Sequence, residues 1–208
     1  MRKGEKTRQH VIETAARVLN RHGYAGSGMS ELMRETGLAK GGLYRHFDSK
    51  ETLAVEAFNY AFATVHNLRF ANLESIPNAV DKLKGFVEGY AAVTSPIPGG
   101  CPILNTGIEN DDGNPALLKC AQEGFETTVK RLTRIIKEGQ TRKEIRLALV
   151  PGELALFIFC ALEGGIFASR LQGSRQRLKV IARYLIEFLE EQVRRRPGRF
   201  ELTRSAGR

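Results

Sequence analysis

Cysteine is scarce in this chain. Cys101, Cys120 and Cys160 are the only three in 208 residues. An odd number with no metal-ligand spacing argues against both a disulfide framework and a zinc site. The opening MRKGEKTRQHVIETAARVL has no long apolar run of the kind a secretory leader needs. No window reads as the ~18 consecutive apolar residues of a membrane span. Together these absences lead to the expectation of a reducing, cytoplasmic setting with no membrane partner. Strand-like alternation is missing except for the short apolar run IRLALV (145–150), which has no obvious partner. The motifs G-x-S-x-G, H-E-x-x-H and G-x-x-x-x-G-K-[ST] do not occur. His10, His22, His46 and His66 are expected to fall outside the larger C-terminal part, leaving it no nucleophile–base pair. The chain is therefore expected not to be an enzyme and to need no metal or cofactor.

Charge is plentiful but uneven. The net charge is +9. Residues 1–50 carry 10 Lys/Arg against 5 Asp/Glu, residues 51–169 carry 11 against 14, and residues 170–208 carry 11 against 4. A basic head on a mildly acidic body suits a polyanion partner for the head. The basic stretch RRRPGRFELTRSAGR (194–208) contains a Pro-Gly break and reads, over 196–208, as a solvated tail.

Apolar residues recur at helical spacing nearly everywhere. Val11, Ile12, Ala15, Ala16, Val18 and Leu19 form a stripe that Gly23 ends, and MSELMRET makes a short second helix. GLAKGGLYRHF then supplies a tight turn at Gly37 and a third helix. Asp48 with Glu51 three residues on reads as a capping box for a fourth helix reaching about Arg69. Beyond ESIPNAV, helices are expected near 78–94, 101–110, 114–139, 151–171 and 174–195. The fold class is all-α, about nine helices. Residues 1–53 form a three-helix helix-turn-helix unit and 54–195 a larger helical body for ligand binding and dimerisation.

The second helix of a helix-turn-helix pair enters the DNA major groove. It needs phosphate donors, a forked side chain for base edges, and small residues for close approach. Lys40, Tyr44, His46 and Lys50 supply the donors, Arg45 the fork, and Gly41 and Gly42 the bare backbone. Leu43 and Phe47, at i and i+4, should anchor the helix to its core.

In TRQHVIETAARVLNRHGYAGSGMSELMRETGLAKGGLYRHFDSKETL, residues 7–53, the sequence resembles the DNA-binding domain of the TetR/AcrR family of bacterial transcriptional regulators. The resemblance implies a homodimer on a double-stranded, pseudo-palindromic operator, most often as a repressor. It also implies that the body binds a small-molecule effector which changes the spacing of the heads. By position, Lys40, Tyr44, His46 and Lys50 match phosphate contacts, and Gly41, Gly42 and Arg45 groove-facing ones. Three positions depart from the pattern. Ala39 stands where a capping Ser is usual, Met33 where Ala is common, and Gly28 where a hydroxyl is frequent, which leaves Ser27 to cap the second helix.

For the body, Phe58, Phe62, Phe86, Tyr90, Phe125 and Phe159 are candidates for an apolar ligand cavity, although at helical spacing they equally suit plain core. Cys101 opens a helix after a Gly-Gly turn, where the helix N-terminus would favour a thiolate. That raises an alternative, a redox- or electrophile-sensing regulator using Cys101, against a plain buried packing role. Asn105, one turn on, is a further ligand candidate. Cys120 and Cys160 read as core. The run PGELALFIFCALEGGIFASRL is apolar nearly all round and so calls for burial on several sides. With LKVIARYLIEFLEEQV it forms the candidate dimer interface: Phe157, Ala161, Gly164, Gly165, Ile181, Tyr184, Leu185 and Phe188.

Overall fold

The computed structural model describes residues 3–195. The expected basic tail, 196–208, lies outside the described residues. Nine α-helices follow one another among the described residues: α1 (Lys3–His22), α2 (Met29–Thr36), α3 (Lys40–Tyr44), α4 (Lys50–Phe70), α5 (Ala79–Ala92), α6 (Pro102–Glu109), α7 (Pro115–Thr141), α8 (Pro151–Leu171) and α9 (Gln176–Phe188). A 3-10 turn, Leu73–Ser75, precedes α5, and α9 runs into a π-helical turn, Leu189–Val193. IRLALV does not form a strand. It enters an irregular segment whose Ile145 makes a single antiparallel bridge to Arg194. Arg146 N–H donates to the Val193 carbonyl at 3.0 Å and Arg195 N–H to the Glu144 carbonyl at 2.7 Å.

Side-chain caps set several helix starts. Asn78 Oδ1 accepts from Val80 N–H and Asp81 N–H at α5, and Asn114 Oδ1 accepts from Leu117 N–H at α7. Pro115 and Pro151 occupy first helical positions, where a missing N–H costs nothing. The cap of α4 corrects the expected one. Ser49, not Asp48, is the N-cap, and its Oγ accepts from Thr52 N–H at 3.0 Å. Glu51 does not reach back; its carboxylate accepts from the Asn114 side chain instead. Ser27 likewise does not cap α2. Gly28 is the N-cap with no side-chain bond, and the Ser27 side chain is fully buried with no hydrogen-bond partner. Ala39 starts α3 without any side-chain cap, as its methyl group dictates.

Two hydrophobic cores result. One joins α1, α2, α3 and the first half of α4 through residues such as Val11, Ala15, Leu32, Leu43, Phe47, Leu53 and Ala57. The other joins α5, α7, α8 and α9 around Leu83, Phe86, Leu132, Ile136, Ile158, Phe159 and Leu162. The first core runs on through α4 to Ala61 and also takes in Ile97 from the loop between α5 and α6.

Helix α8 is long and apolar enough by length and composition to cross a membrane, with mean hydropathy 1.7, contrary to the sequence expectation. It packs here between α7 and α9. Its burial is also one-sided: Leu154, Ile158 and Leu162 lie in the core, while Leu156, Phe157, Phe167 and Leu171 are exposed.

Candidate functional site

The head presents one basic, nearly bare surface. Leu43 and Phe47 are buried and hold α3 to the core. That rotation leaves Lys40, Gly41, Tyr44 and Arg45 exposed and Gly42 and His46 half-buried. A Cβ added at Gly41 would meet nothing within 4 Å, and one at Gly42 only ordinary contacts with Leu38. Neither glycine is required by packing inside the chain. Lys40 Nζ lies 5.9 Å from the Tyr44 ring centroid. The Arg45 backbone N–H donates to the Gly41 carbonyl, while its side chain has no hydrogen-bond or ion-pair partner among the described residues. Lys50 differs from the other expected donors. Its ammonium donates to the Tyr24 carbonyl and sits 4.1 Å over the Tyr24 ring. Burial holds its pKa below the usual lysine range, opposed by the nearby Glu109 carboxylate. Ser27, being fully buried, offers no hydroxyl to a phosphate.

The body holds a cavity of about 410 Å³. Its walls come from Val65 and Arg69 on α4, Tyr90 on α5, the loop Thr94–Cys101, Glu163 through Arg170 on α8, and Arg175 and Leu178 at the start of α9. At its base sits a buried polar cluster. The Tyr90 hydroxyl donates to Glu163 Oε1 at 3.3 Å, and Glu163 Oε2 has no partner. Burial pushes the Glu163 carboxyl up to about 7, against the opposing pull of the Cys101 thiol, the Tyr90 hydroxyl and the Arg69 charge. The Arg69 guanidinium lies 4.4 Å over the Tyr90 ring and donates to the carbonyls of Gly89 and Val93. Arg175 donates to the carbonyls of Tyr90, Ala91 and Val93 and to the Thr94 hydroxyl. Both arginines thus cover the carbonyl end of α5, as cations do at helix C-termini.

Cys101 is the N-cap of α6, as its position after the Gly-Gly turn suggests. Thiolate formation there is nevertheless disfavoured. Burial, then the Glu163 charge, push the thiol well above its ordinary value. Cys160 is exposed and Cys120 half-buried, so neither is the core residue expected.

Tyr90 and Cys101 are the two expected ligand residues that line this cavity. Phe58, Phe62, Phe86 and Tyr90 belong to a ladder of rings that also includes His66 and Phe70, with neighbouring centroids 4.6–6.2 Å apart. His66 therefore lies within the body rather than outside it. It sits beside Thr128 and Arg131, and burial with the Arg131 charge lowers its pKa to about 4. Phe125 and Phe159 pair across the body core at 5.2 Å. Sequence reasoning missed Arg69, Glu163 and Arg175. A carboxylate in the middle of the apolar run of α8, ten residues past the Glu153 of its first turn, was the available signal for Glu163.

Asn105 points away from the cavity to the junction with the head. Its Nδ2 donates to the carbonyls of Asn20 at 3.0 Å and Gly99 at 2.8 Å, and its Oδ1 accepts from Arg170. Asn20, at the end of α1, donates to the carbonyls of Pro98 at 2.7 Å and Gly100 at 3.2 Å. Gly99 has φ +102°, and a Cβ there would stand 2.1 Å from the Asn20 carbonyl oxygen. Further along the junction, the Glu109 carboxylate of α6 accepts from Tyr24 N–H and Ala25 N–H.

The candidate interface residues divide. Phe157, Gly164 and Tyr184 are exposed and Ala161, Ile181 and Phe188 half-buried, with Phe157 and Phe188 in edge contact at 5.4 Å. Gly165 and Leu185 are used inside the chain: a Cβ at Gly165 would press on Leu178, and Leu185 is in the body core.

Residues 11–57 match the family described as bacterial regulatory proteins, tetR family, and residues 79–185 match the tetracyclin repressor-like C-terminal domain. The HTH-type transcriptional repressor DhaR of Mycobacterium sp. (strain GP1) is 29% identical over 185 residues, 88% of this chain and 91% of DhaR. The HTH-type transcriptional repressor NemR of Escherichia coli (strain K12) is 33% identical over 83% of this chain and 88% of NemR. A TetR transcriptional regulator from Chloroflexus aurantiacus J-10-FL superposes with a TM-score of 0.90 at 37% identity, covering 94% of this chain and all of that one.

Proposed function

Because the chain belongs to the tetR family of bacterial regulatory proteins, whose members are DNA-binding transcription factors and not enzymes, we propose that it is an effector-released repressor acting in the bacterial cytoplasm. Two copies bind a pseudo-palindromic operator, each placing α3 in a major groove, with the half-sites one helical turn, ~34–36 Å, apart. Lys40, Tyr44 and His46 hold phosphates, Gly41 and Gly42 admit the DNA closely, and Arg45 reads a base edge. Lys50 serves mainly to fix the Tyr24 turn. The exposed apolar side chains Leu156, Phe157, Phe167, Leu171 and Tyr184 support pairing of α8 and α9 with a second copy.

The observation that carries effector release is the double use of one loop. Residues 97–101 wall the cavity, and their carbonyls hold Asn20 of α1 and Asn105 of α6. A ligand that shifts this loop changes the seat of the head. It releases DNA to the extent that it binds the shifted state more tightly. The electrophile-sensing alternative loses support from the buried, protonated state of Cys101.

Asn105→Ala tests the relay. A compound that raises the melting temperature is first found by screening, and DNA upstream of the chain's own gene serves as target in gel shifts. The variant should keep DNA affinity within about threefold while the compound's releasing effect falls at least tenfold. Equal release from native protein and variant would overturn the relay.

A further inference from the structure

The chemistry of the cavity wall narrows what it can hold. Three guanidinium groups, those of Arg69, Arg170 and Arg175, stand against the single carboxyl of Glu163. Arg69 Nε, Arg175 Nε and Glu163 Oε2 are buried without a hydrogen-bond partner. Buried polar atoms are nearly always paired, so three unpaired ones in residues that line one cavity call for a ligand group that pairs them. The two nitrogens are donors only. The carboxyl becomes a donor once it holds a proton. All three then require an acceptor. A cationic ligand meets the opposite: three like charges, and a Tyr90 face already occupied by Arg69. Much of the remaining wall is apolar, including Val65, Ile97, Ile166 and Leu178, and about 410 Å³ suits a small molecule.

Resting on the effector reading above, we infer that the cavity takes a small monocarboxylic acid with an apolar body, its carboxylate held by the Arg69 and Arg175 guanidiniums and by an O–H bond from the Glu163 carboxyl group. The proton on Glu163 comes from solvent. The groups facing Glu163 are Tyr90 on α5, Cys101 before α6, Arg69 on α4, and Cys160 on its own helix. Of these, Tyr90 and Cys101 are held in their neutral forms by burial, and Arg69 keeps its charge. Glu163 itself is the one group in the cluster poised near neutrality. A bound carboxylate repels ionised Glu163 and raises its pKa above the value in the empty site. Below about pH 7 the proton is already present and affinity is flat. Above it, each binding event takes up a proton and affinity falls.

Titration calorimetry with benzoate, benzyl alcohol and benzylamine, three probes of matched shape, tests this. Benzoate should bind best. Its dissociation constant should change little between pH 5.5 and 6.5 and rise about tenfold between pH 7.5 and 8.5, with about one proton taken up at pH 8 in buffers of different ionisation heat. Glu163→Gln keeps an N–H donor and cannot titrate, so it should bind benzoate with no such pH slope. Ile166→Trp, checked for native melting, should lose binding. Preference for benzylamine or the alcohol, an unchanged slope in Glu163→Gln, or saturation by none of the three would overturn the inference. The effector reading falls separately: it fails if Ile166→Trp and native protein respond alike to every compound that releases DNA.

Discussion

The recognition helix and the cavity both depend on charged side chains, yet the two regions treat charge in opposite ways. At α3, Lys40 and Arg45 stand in water. Their charges keep full hydration until a polyanion strips it away. At the cavity, Arg69 and Glu163 are enclosed, so each is bound to carbonyls, rings or a neighbouring hydroxyl. An exposed charge is free to engage a partner without altering its protonation. An enclosed carboxyl such as Glu163 responds to its surroundings by taking up a proton, while Arg69 beside it keeps its charge. The head is therefore built to grip, and the body to sense.

The largest expected effect comes from breaking the seam between them. Gly99→Val puts a Cβ against the Asn20 carbonyl at a positive φ. It should destabilise the fold by about 3 kcal/mol or more, read as a lower midpoint in chemical unfolding. A native midpoint would mean that head and body are joined elsewhere.

Next comes the sensing side. The Glu163 carboxyl is raised from about 4.5 to about 7, so between those values the folded state binds more protons than the unfolded one. Its contribution to stability is present below pH 4.5 and lost as pH rises through 7. Glu163→Gln should exceed the native protein in stability at pH 8 by about 1–3 kcal/mol, with the gap closing towards pH 5. His66 acts in the reverse sense. Its pKa is lowered to about 4, so stability is lost as pH falls from 6.5 towards 4. His66 is only partly enclosed, which screens the effect, so His66→Gln should flatten the acid limb only slightly. Parallel native and Glu163→Gln profiles from pH 5 to 8 would contradict the enclosed carboxyl.

On the gripping side, Arg45→Ala should relax discrimination at one base position by ~1–3 kcal/mol. Tyr44→Phe should weaken all sequences alike by ~0.5–1.5 kcal/mol. Equal loss on specific and random DNA for Arg45→Ala would leave Arg45 as a phosphate contact. The smallest effect lies at the start of α4. Ser49→Ala should cost about 1 kcal/mol and Asp48→Ala less than ~0.5 kcal/mol in thermal unfolding.

The head was largely legible in the sequence because its helices are short-range objects. Periodic apolar residues, a Gly turn and the spacing of Leu43 and Phe47 are all local signals. The failures there were between neighbours. Asp48 and Ser49 are both competent caps, and spacing to Glu51 favoured the wrong one because Asn114, 63 positions away, takes up Glu51. The helices of the body were legible for the same reason as those of the head. Its cavity was not, because Arg69, Tyr90 and Glu163 come from three helices and Arg175 from the cap of a fourth, and none has a local motif. Aromatic content drew attention to Phe159, which lies in the body core, and to half-buried Phe125, which packs against it. The polar residues that line the cavity are single, and single polar residues look like surface until the fold encloses them.

Ile97 sits in the core of the head, although the loop that carries it walls the cavity of the body. That dual membership restricts how such a regulator can acquire a new effector. Changes in the loop that suit a new ligand also disturb the packing under the DNA-binding helices. Changes at Ile166 of α8, which lines the cavity and packs against the body's core and not the head's, carry no such penalty. New specificity is therefore expected to arise on the helical walls first, with the loop among the last parts to vary.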